Sequence, residues 1–181
     1  MVLTIDIGNT TIGIGGFQGN KLLFIEKISS RRPLSDAGYI EKLNMILNKH
    51  GLSAEAFEGS MISSVVPSVT AVFSSALETF LGRKPLILSH KLDLGYEICT
   101  EFPEKVGCDR LADIAGAISR YSLPFVTIDL GTATTFNVLD ENRRFLGGLI
   151  LPGVGTAHRA LLGKTAQLPK GDINMPAHTI G

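Results

Sequence analysis

The sequence TIDIGNTTIGIGGF occupies residues 4–17, and the similar sequence TIDLGTATTFNVLD occupies residues 127–140. Each stretch contains a short apolar run that ends in an aspartate, a tight turn with glycine, and a second run that suits a strand, which predicts a hairpin. The repetition of this pattern predicts an internal repeat. Two such hairpins that face one another would bring two carboxylates and two sets of turn amides to opposite sides of one cleft.

The rest of the sequence predicts an α/β protein with two related lobes. Apolar spacing and turn residues indicate the order βββαβαβ in the first half, then a linking helix, then three strands and one helix. A loop of charged residues is expected between the halves. The predicted strands lie at 2–7, 11–17, 21–28, 60–66, 85–89, 125–130, 134–139 and 145–151, and the predicted helices at 39–51, 69–81, 109–121 and 156–162.

The two predicted lobes are unequal. The first lobe, residues 1–118, continues from its three strands through further helix–strand units, whereas the second, residues 119–181, reaches only one helix. Such a second lobe would keep an unpaired sheet edge and an uncovered apolar face, both of which are costly. We therefore expect that a partner supplies the missing surface or that the chain is a fragment of a longer protein, and we favour the fragment.

Composition excludes several classes of function. Lys plus Arg and Asp plus Glu both number 17, so the basic excess that binding to a nucleic-acid backbone normally requires is missing. No cationic segment precedes Asp6, and the longest uncharged stretch, residues 59–77, is too polar to cross a bilayer. Cys99 and Cys108 show no spacing typical of a disulfide framework or a zinc site. We expect a cytoplasmic protein with no nucleic-acid or membrane partner.

The two hairpin turns carry the strongest chemical signal. In DIGNT at 6–10, Gly8 permits a sharp turn, so that N–H groups and the Thr10 hydroxyl can face a phosphate while Asp6 holds a hydrated magnesium ion. The turn in DLGTATT at 129–135 has the same acid, glycine and hydroxyls. The alternative is a pair of ordinary hairpins, the second rich in threonine. Because the turn occurs twice after the same kind of strand, phosphate binding is favoured.

Two further motifs each allow two interpretations. GGLILPG at 147–153 lets the backbone approach a flat ligand such as adenine, or is simply a glycine-rich strand end with a Pro-Gly turn. GCDR at 107–110 begins the linking helix. There Asp109 would be a general base beside a substrate-anchoring cation, Arg110, or only a helix cap beside a solvated charge. The four histidines follow no ligand spacing and are predicted to be structural or surface residues.

Six motifs in order carry a resemblance to a known family. They are DIGNT at 6–10, ISSVVP at 62–67, VGCDR at 106–110, DLGTATT at 129–135, GGLILPG at 147–153 and TAQLP at 165–169. This series resembles that of the type III pantothenate kinases. The resemblance implies duplicated ribonuclease-H-like lobes with mixed sheets, as in the actin-like and sugar-kinase-like ATPases, with the second lobe incomplete.

The resemblance also implies an activity. The family phosphorylates pantothenate to 4′-phosphopantothenate with ATP, which is the first step of coenzyme A biosynthesis. The cofactors would be ATP, Mg²⁺ and a monovalent cation, K⁺ or NH₄⁺. The partners would be pantothenate and a second copy of the chain, because the family is dimeric with its site near the subunit interface.

Carried over by motif, the resemblance implies a role for each site residue. Asp109 would be the catalytic proton acceptor, Asp6 would lie near magnesium, and Asp129 would help to hold the monovalent cation. The ATP phosphates would be bound by Asp6, Ile7, Gly8, Asn9, Thr10, Thr11, Ile12, Gly13, Gly131 and Thr132. The pantothenate site would include Thr100, Gly107, Cys108, Asp109 and Arg110.

The sequence departs from the family pattern at two places. Thr100-Glu101-Phe102-Pro103 stands where the family has a tyrosine followed by an acid, Asn and Pro, so an aromatic substrate contact is missing. The family also continues after the position of Gly181 with a Lys-Asn-Thr segment and closing helices. Two alternatives therefore remain: a kinase of another small hydroxylated substrate, and a non-catalytic regulatory or accessory homologue. The acids at 6, 109 and 129 argue against the second alternative.

Overall fold

A computed structural model describes residues 1–165 of the chain. The strands are β1 Val2–Ile7, β2 Thr11–Gln18, β3 Lys21–Ser29, β4 Gly59–Ser64, β5 Leu86–Ile87, β6 Glu97–Ile98, β7 Phe125–Leu130, β8 Ala133–Leu139 and β9 Arg144–Pro152. The α-helices are α1 Asp36–Lys49, α2 Pro67–Leu81, α3 Cys108–Ile118 and α4 Val154–Lys164, and 3-10 turns lie at Ala54–Ala56 and Pro103–Lys105. His178 and the TAQLP motif after Thr165 lie outside the described residues.

The first hairpin lies near the centre of a five-stranded sheet with the order β3-β2-β1-β4-β5. β1 pairs antiparallel with β2 and parallel with β4, so the sheet is mixed. The turn that begins at Gly8 closes through a hydrogen bond from Gly8 N to Thr11 O of 2.9 Å. The C-terminal ends of the parallel strands β1 and β4 therefore lie side by side at the edge that carries Asp6 and Ser63.

Helices α1 and α2 cover one face of this sheet because both carry a buried apolar stripe. Helix α1 begins at Ser35, whose hydroxyl accepts a hydrogen bond from Gly38 N, and α2 begins with a proline at its first position. Gly51 and Gly82 adopt the left-handed conformation just after the two helices, as helix ends require. The shared core contains Leu3, Ile5, Ile7, Ile12, Ile14, Tyr39, Leu43, Leu47, Ile62, Phe73 and Leu77, each at most 1% exposed.

The second hairpin, β7–β8, belongs to a four-stranded sheet with the order β6-β9-β8-β7. β7, β8 and β9 are antiparallel, and the two-residue strand β6 pairs parallel with β9. A smaller core of Ile114, Leu139 and Phe145 joins α3 to one face of this sheet. Helix α3 also contacts β4, so it lies between the two sheets.

Most sequence-predicted elements are confirmed to within three residues at each end. The exception is β6, which lies in the stretch predicted to be a loop of charged residues. A two-residue strand has no periodicity to detect, and β6 forms because Glu97 and Ile98 pair with Arg144 and Phe145. The boundary at 118/119 stays a prediction, although β6 joins the second sheet from a position before α3. In residues 1–165, no helix is long and apolar enough to cross a membrane.

Candidate active site

The two hairpin turns meet. Thr10 in the first turn and Thr132 in the second turn bring their Oγ1 atoms to 3.2 Å from one another, although the residues are 122 positions apart. The second turn closes by a hydrogen bond from Gly131 N to Ala133 O of 2.9 Å. The side chains of Ile7 and Ile12 are fully buried in the first core. Only their backbone groups could therefore contribute to the predicted phosphate loop.

The start of α4 holds the second turn in place. Thr132 O accepts hydrogen bonds from Gly153 N at 3.0 Å and from Thr156 Oγ1 at 2.8 Å. A Cβ at Gly153 would collide with the carbonyl oxygen of Gly131, so this position requires glycine. The glycine at the end of the GGLILPG motif therefore packs the phosphate-loop candidate against α4.

Helix α3 places Asp109 and Arg110 at the cleft between the sheets. Gly107 occupies the N-cap, and Asp109 lies within the first turn. The N-cap position that was the alternative for Asp109 therefore belongs to Gly107. The Asp109 carboxylate accepts a hydrogen bond of 2.8 Å from Arg110 N, near the positive end of the helix. A Cβ at Gly107 would occupy the space beside Asp109 Oδ1 and would displace the carboxylate from this position.

Four carboxylates share the cleft: Asp6, Asp109, Asp113 and Asp129. Burial raises the pKa of Asp6, and the charges of Asp109 and Asp129 also raise it against the opposing effect of the nearby Ser63 hydroxyl. Burial raises the pKa of Asp113 to about 6, with further contributions from Asp129, Asp109 and Asp6. Negative charge is therefore concentrated here without enough compensation. The sequence analysis missed Asp113, whose spacing of four residues from Asp109 on a helix could have indicated it.

Arg110 turns away from these acids and contacts the second sheet. Its Nε donates a hydrogen bond of 2.6 Å to Asn137 Oδ1, and its Nη2 donates one of 3.2 Å to Phe136 O. The guanidinium carbon lies 5.5 Å from the centre of the Phe145 ring. Burial lowers the pKa of Arg110, although the charges of Asp109 and Asp113 oppose this shift. Asn137 and Phe145 were missed by the sequence analysis because only the folded chain brings them to α3.

The remaining predicted substrate residues lie close by but are used differently. Cys108 donates a hydrogen bond through its Sγ to Leu88 O at 3.1 Å, so its side chain points toward the segment that follows β5. Thr100 lies beside Gly147, and its Oγ1 is buried with no hydrogen-bond partner among residues 1–165. Gly148 packs against the backbone of Phe136 and against Arg110, so a Cβ there would collide with the Phe136 carbonyl oxygen.

The donor atoms in the cleft suit a hard cation. Ser63 pairs with Asp6 and Thr135 pairs with Asp129 in the strand registers. Both hydroxyl oxygens are buried, and among residues 1–165 neither has a hydrogen-bond partner at ordinary distance and angle. Carboxylate and hydroxyl oxygens are the ligands that Mg²⁺ and similar ions prefer. Within the described residues, no group of three or more acidic, histidine or cysteine side chains is close enough to hold an ion. The fit is therefore to an ion that keeps water or ligand oxygens in its shell.

Comparison with solved structures supports the fold. A candidate Baf family transcriptional activator from Campylobacter jejuni matches 96% of this chain and 68% of its own, with a TM-score of 0.53 and 16% identity. A candidate N-acetylglucosamine kinase from Porphyromonas gingivalis matches 90% of this chain and 55% of its own, with a TM-score of 0.50 and 16% identity. These similarities agree with the predicted duplicated α/β lobes and their mixed sheets, and at such identities they show the fold alone.

Comparison with sequences identifies the family. The family profile described as "Type III pantothenate kinase" matches residues 2–181. The type III pantothenate kinase of Finegoldia magna is 36% identical over 181 residues, which are 100% of this chain and 69% of that protein. That of Bifidobacterium animalis subsp. lactis is 40% identical over 176 residues, which are 97% of this chain and 70% of that protein. The profile match and these identities agree with the paired Asp-x-Gly turns and the acidic cleft, and the chain belongs to the type III pantothenate kinase family.

Proposed function

We propose that the protein phosphorylates the primary hydroxyl of pantothenate with ATP and so forms 4′-phosphopantothenate in coenzyme A biosynthesis. The observation that carries this proposal is the contact between the two turns: Thr10 and Thr132 lie 3.2 Å apart at the mouth of an acidic cleft. The carboxylate of Asp109 and the guanidinium of Arg110 stand on the helix that lies between the same two sheets. A nucleotide and an acidic, hydroxylated substrate would thus meet between the lobes.

The two turns would hold the phosphates of ATP. Gly8 N and Gly131 N close their own turns, so the backbone N–H groups of Asn9, Thr10 and Thr132 are the better candidates for this contact. The hydroxyls of Thr10, Thr11 and Thr132 lie beside them. Most of the catalytic effect in phosphoryl transfer comes from such positioning, because the transferred group needs little covalent help. Thr132 is held from behind by Gly153 and Thr156, which keeps the second turn rigid.

Asp109 would act as the proton acceptor. Its Oδ1 is oriented by Arg110 N, and Gly107 leaves the space that this orientation requires. A carboxylate fixed beside the substrate hydroxyl can orient that hydroxyl and take its proton as the bond to phosphorus forms. Arg110 would meet the negatively charged carboxylate at the other end of pantothenate.

Cations complete the proposal. Asp6 and Ser63 are the candidates for contact with Mg²⁺, and Asp129 and Thr135 are the candidates for a monovalent cation, K⁺ or NH₄⁺. Mg²⁺ would supply charge neutralisation at the phosphates of ATP. Burial is the first cause of the raised pKa of Asp6 and of Asp113, and the charges of the neighbouring carboxylates add to it. Acids in such surroundings support a role for cations in this cleft.

The experiment that tests the function is ATP consumption coupled to pantothenate, with Mg²⁺ and K⁺ present. We expect turnover that requires pantothenate, and we expect Asp109→Asn to lower kcat by about 10²–10⁴-fold because it removes the proton acceptor. Nucleotide binding should survive in that variant, since Asp109 lies on α3 and the proposed nucleotide contacts lie in the hairpin turns.

Two results would contradict the proposal. Unchanged kcat in Asp109→Asn would remove Asp109 from the chemistry. Folded wild-type protein that binds ATP without any pantothenate-dependent turnover would favour another hydroxylated substrate or a regulatory homologue.

We also propose that the protein is a cytoplasmic homodimer, as the resemblance of its motif series implies. Cys99 and Cys108 are free thiols, which suits a reducing compartment. Sedimentation velocity over a hundredfold range of concentration tests the dimer, and a folded monomer at every concentration would contradict it.

A further inference from the structure

The side chain of Asn137, in the second sheet, fixes the orientation of the Arg110 guanidinium. Asn137 is fully buried in the middle strand β8, and its Oδ1 accepts the short hydrogen bond from Arg110 Nε. Its Nδ2 donates a hydrogen bond of 3.0 Å to Thr127 Oγ1 on the neighbouring strand. The amide is therefore fixed from behind, because neither of its ends is free to turn.

The three residues follow the pairing of the sheet. Thr127 pairs with Asn137, and Asn137 pairs with Gly148, so these positions form a row on one face of three strands. The absence of a side chain at Gly148 leaves space for the Arg110 guanidinium. The row ends beneath the first turn of α3, where Arg110 follows the proposed base Asp109.

The acceptors that hold Arg110 are neutral. An amide oxygen and a backbone carbonyl take two of its N–H groups, and no acidic side chain pairs with it within residues 1–165. Arginine has five N–H donors in one rigid plane, so three of them stay free for a ligand. A partly buried cation that is oriented but not neutralised suits a carboxylate, which can accept two parallel hydrogen bonds.

We propose that Asn137 is a positioning residue that aims the guanidinium of Arg110 at the carboxylate of the substrate. This inference rests on the proposed function, since it takes pantothenate as the substrate. The alternative is that Asn137 only satisfies buried polar groups in the core of the second lobe. The two interpretations differ in what should happen to substrates with and without a carboxylate.

The test compares Asn137→Leu with Asn137→Asp in steady-state kinetics. Leucine has a similar volume but no acceptor, whereas aspartate keeps an oxygen for Arg110 Nε and can accept a hydrogen bond from the Thr127 hydroxyl. We expect Asn137→Leu to raise the KM for pantothenate by about tenfold, the effect of one lost hydrogen bond to a charged group. The KM for ATP should change by less than about twofold, since Arg110 faces the other substrate. Asn137→Asp keeps an acceptor but adds a negative charge that would neutralise Arg110 and repel the substrate carboxylate, so it should also raise the KM for pantothenate severalfold.

A neutral analogue of pantothenate distinguishes a role in orienting Arg110 toward the substrate carboxylate from a purely structural role of Asn137. In this analogue a hydroxymethyl group replaces the carboxylate of pantothenate, and the reacting hydroxyl is unchanged. We expect Asn137→Leu to leave its KM within about twofold of the wild-type value, because no charge is then bound by Arg110. Thr127→Val should act in the same direction as Asn137→Leu but more weakly, by about threefold on pantothenate. Val138→Ala, on the other face of the same strand, is the matched control and should change neither KM.

Several outcomes would overturn the inference. Equal increases in KM for pantothenate and its neutral analogue would show a general structural role, and a wild-type KM for pantothenate in Asn137→Asp would contradict the need for neutral acceptors around Arg110. If Asn137→Leu does not fold, Asn137→Asp and Thr127→Val still test the idea, because a selective effect of Thr127→Val on pantothenate supports it and an equal effect on both substrates contradicts it. If wild-type protein neither binds nor phosphorylates pantothenate, the proposed function fails first, and the inference fails with it.

Discussion

The two hairpins share the same short pattern around their turns but have different surroundings. Ile5 and Ile7 in the first hairpin are 1% and 0% exposed, whereas Ile128 and Leu130 at the equivalent positions of the second are 56% and 74% exposed. Helices α1 and α2 cover the first pair. Among the described residues no helix covers the second pair, which lies on the face of its sheet opposite α3. A similar apolar pattern thus predicts a strand in both places, and packing alone decides whether the strand becomes core.

The faces that look toward the cleft are more alike. Asp6 and Asp129 occupy the second-to-last positions of β1 and β7, and each pairs with a buried residue that carries a hydroxyl, Ser63 or Thr135. The turns after them touch through Thr10. The two hairpins therefore resemble one another on the faces that hold the candidate site residues. They differ on the opposite, apolar faces, of which the first is packed into a core.

The largest expected effect tests the apolar faces of the two hairpins directly. Ile5→Ala should lower the free energy of unfolding by about 2–5 kcal/mol, because it removes a fully buried side chain from a packed core. Ile128→Ala should lower it by less than about 1 kcal/mol, since this side chain is largely in solvent. Urea unfolding of both variants and of wild type measures the two values. Equal losses would contradict the comparison and would show that Ile128 is covered in solution.

A smaller effect compares the two hairpin acids through Asp113. Its pKa is raised to about 6, first by burial and then by Asp129, which ranks ahead of Asp6. In metal-free buffer, Asp129→Asn should therefore lower the pKa of Asp113 more than Asp6→Asn does. Carbon-13 NMR titration of the Asp113 carboxyl measures this pKa. A larger decrease in the pKa of Asp113 in Asp6→Asn would mean that Asp6, and not Asp129, has the stronger electrostatic effect on Asp113.

The same residue makes stability depend on pH. A raised pKa means that the folded state holds the proton more tightly than the unfolded state, so the stability is greater at low pH and falls as pH rises from 3.8 through about 6. Asp113→Asn should remove this loss and stabilise the fold at pH 7 by on the order of 1 kcal/mol, allowing for solvent screening. Below pH 3.8 the variant should gain nothing. Thermal unfolding at pH 3.5 and pH 7 checks the sign, with the exposed Glu78→Gln as control.

The smallest expected effect concerns the contact between the turns. Thr10→Ala and Thr132→Ala should each raise the KM for ATP severalfold, because each removes a hydroxyl from the proposed phosphate site. In a double-mutant cycle on ATP binding, the coupling energy of the two hydroxyls should be about 0.5–1 kcal/mol, as for one exposed hydrogen bond. Calorimetric titration with a non-hydrolysable ATP analogue measures it. Strict additivity would show that the turns act independently.

Much of the site could be predicted from local sequence. The paired turns at Asp6 and Asp129 and the glycine before Asp109 are short patterns whose geometry follows from strand ends, tight turns and a helix start. These residues lie where the patterns predicted. Asp113 could have been predicted in the same way, because a spacing of four residues places it on the same face of helix α3 as Asp109.

Other parts of the site depend on residues that are distant in the chain. Asn137 occupies a position that reads as an ordinary strand residue, and its function follows from a contact with Arg110 across 27 positions. Gly148 resembled a ligand-binding glycine, yet its nearest neighbours are the Phe136 backbone and Arg110. Strand β6 exists only through its pairing with β9. None of these features has a local signal.

By itself, the sequence determined the order of the strands and helices apart from β6, the repeat of the Asp-x-Gly hairpin and the chemical character of the cleft. Turn geometry and apolar periodicity are properties of neighbouring residues. Only the tertiary structure decided which hairpin is buried, which acids raise one another's pKa, and which amide orients Arg110. Those properties depend on distances between residues far apart in the chain, and packing, desolvation and hydrogen bonding act through such distances in space.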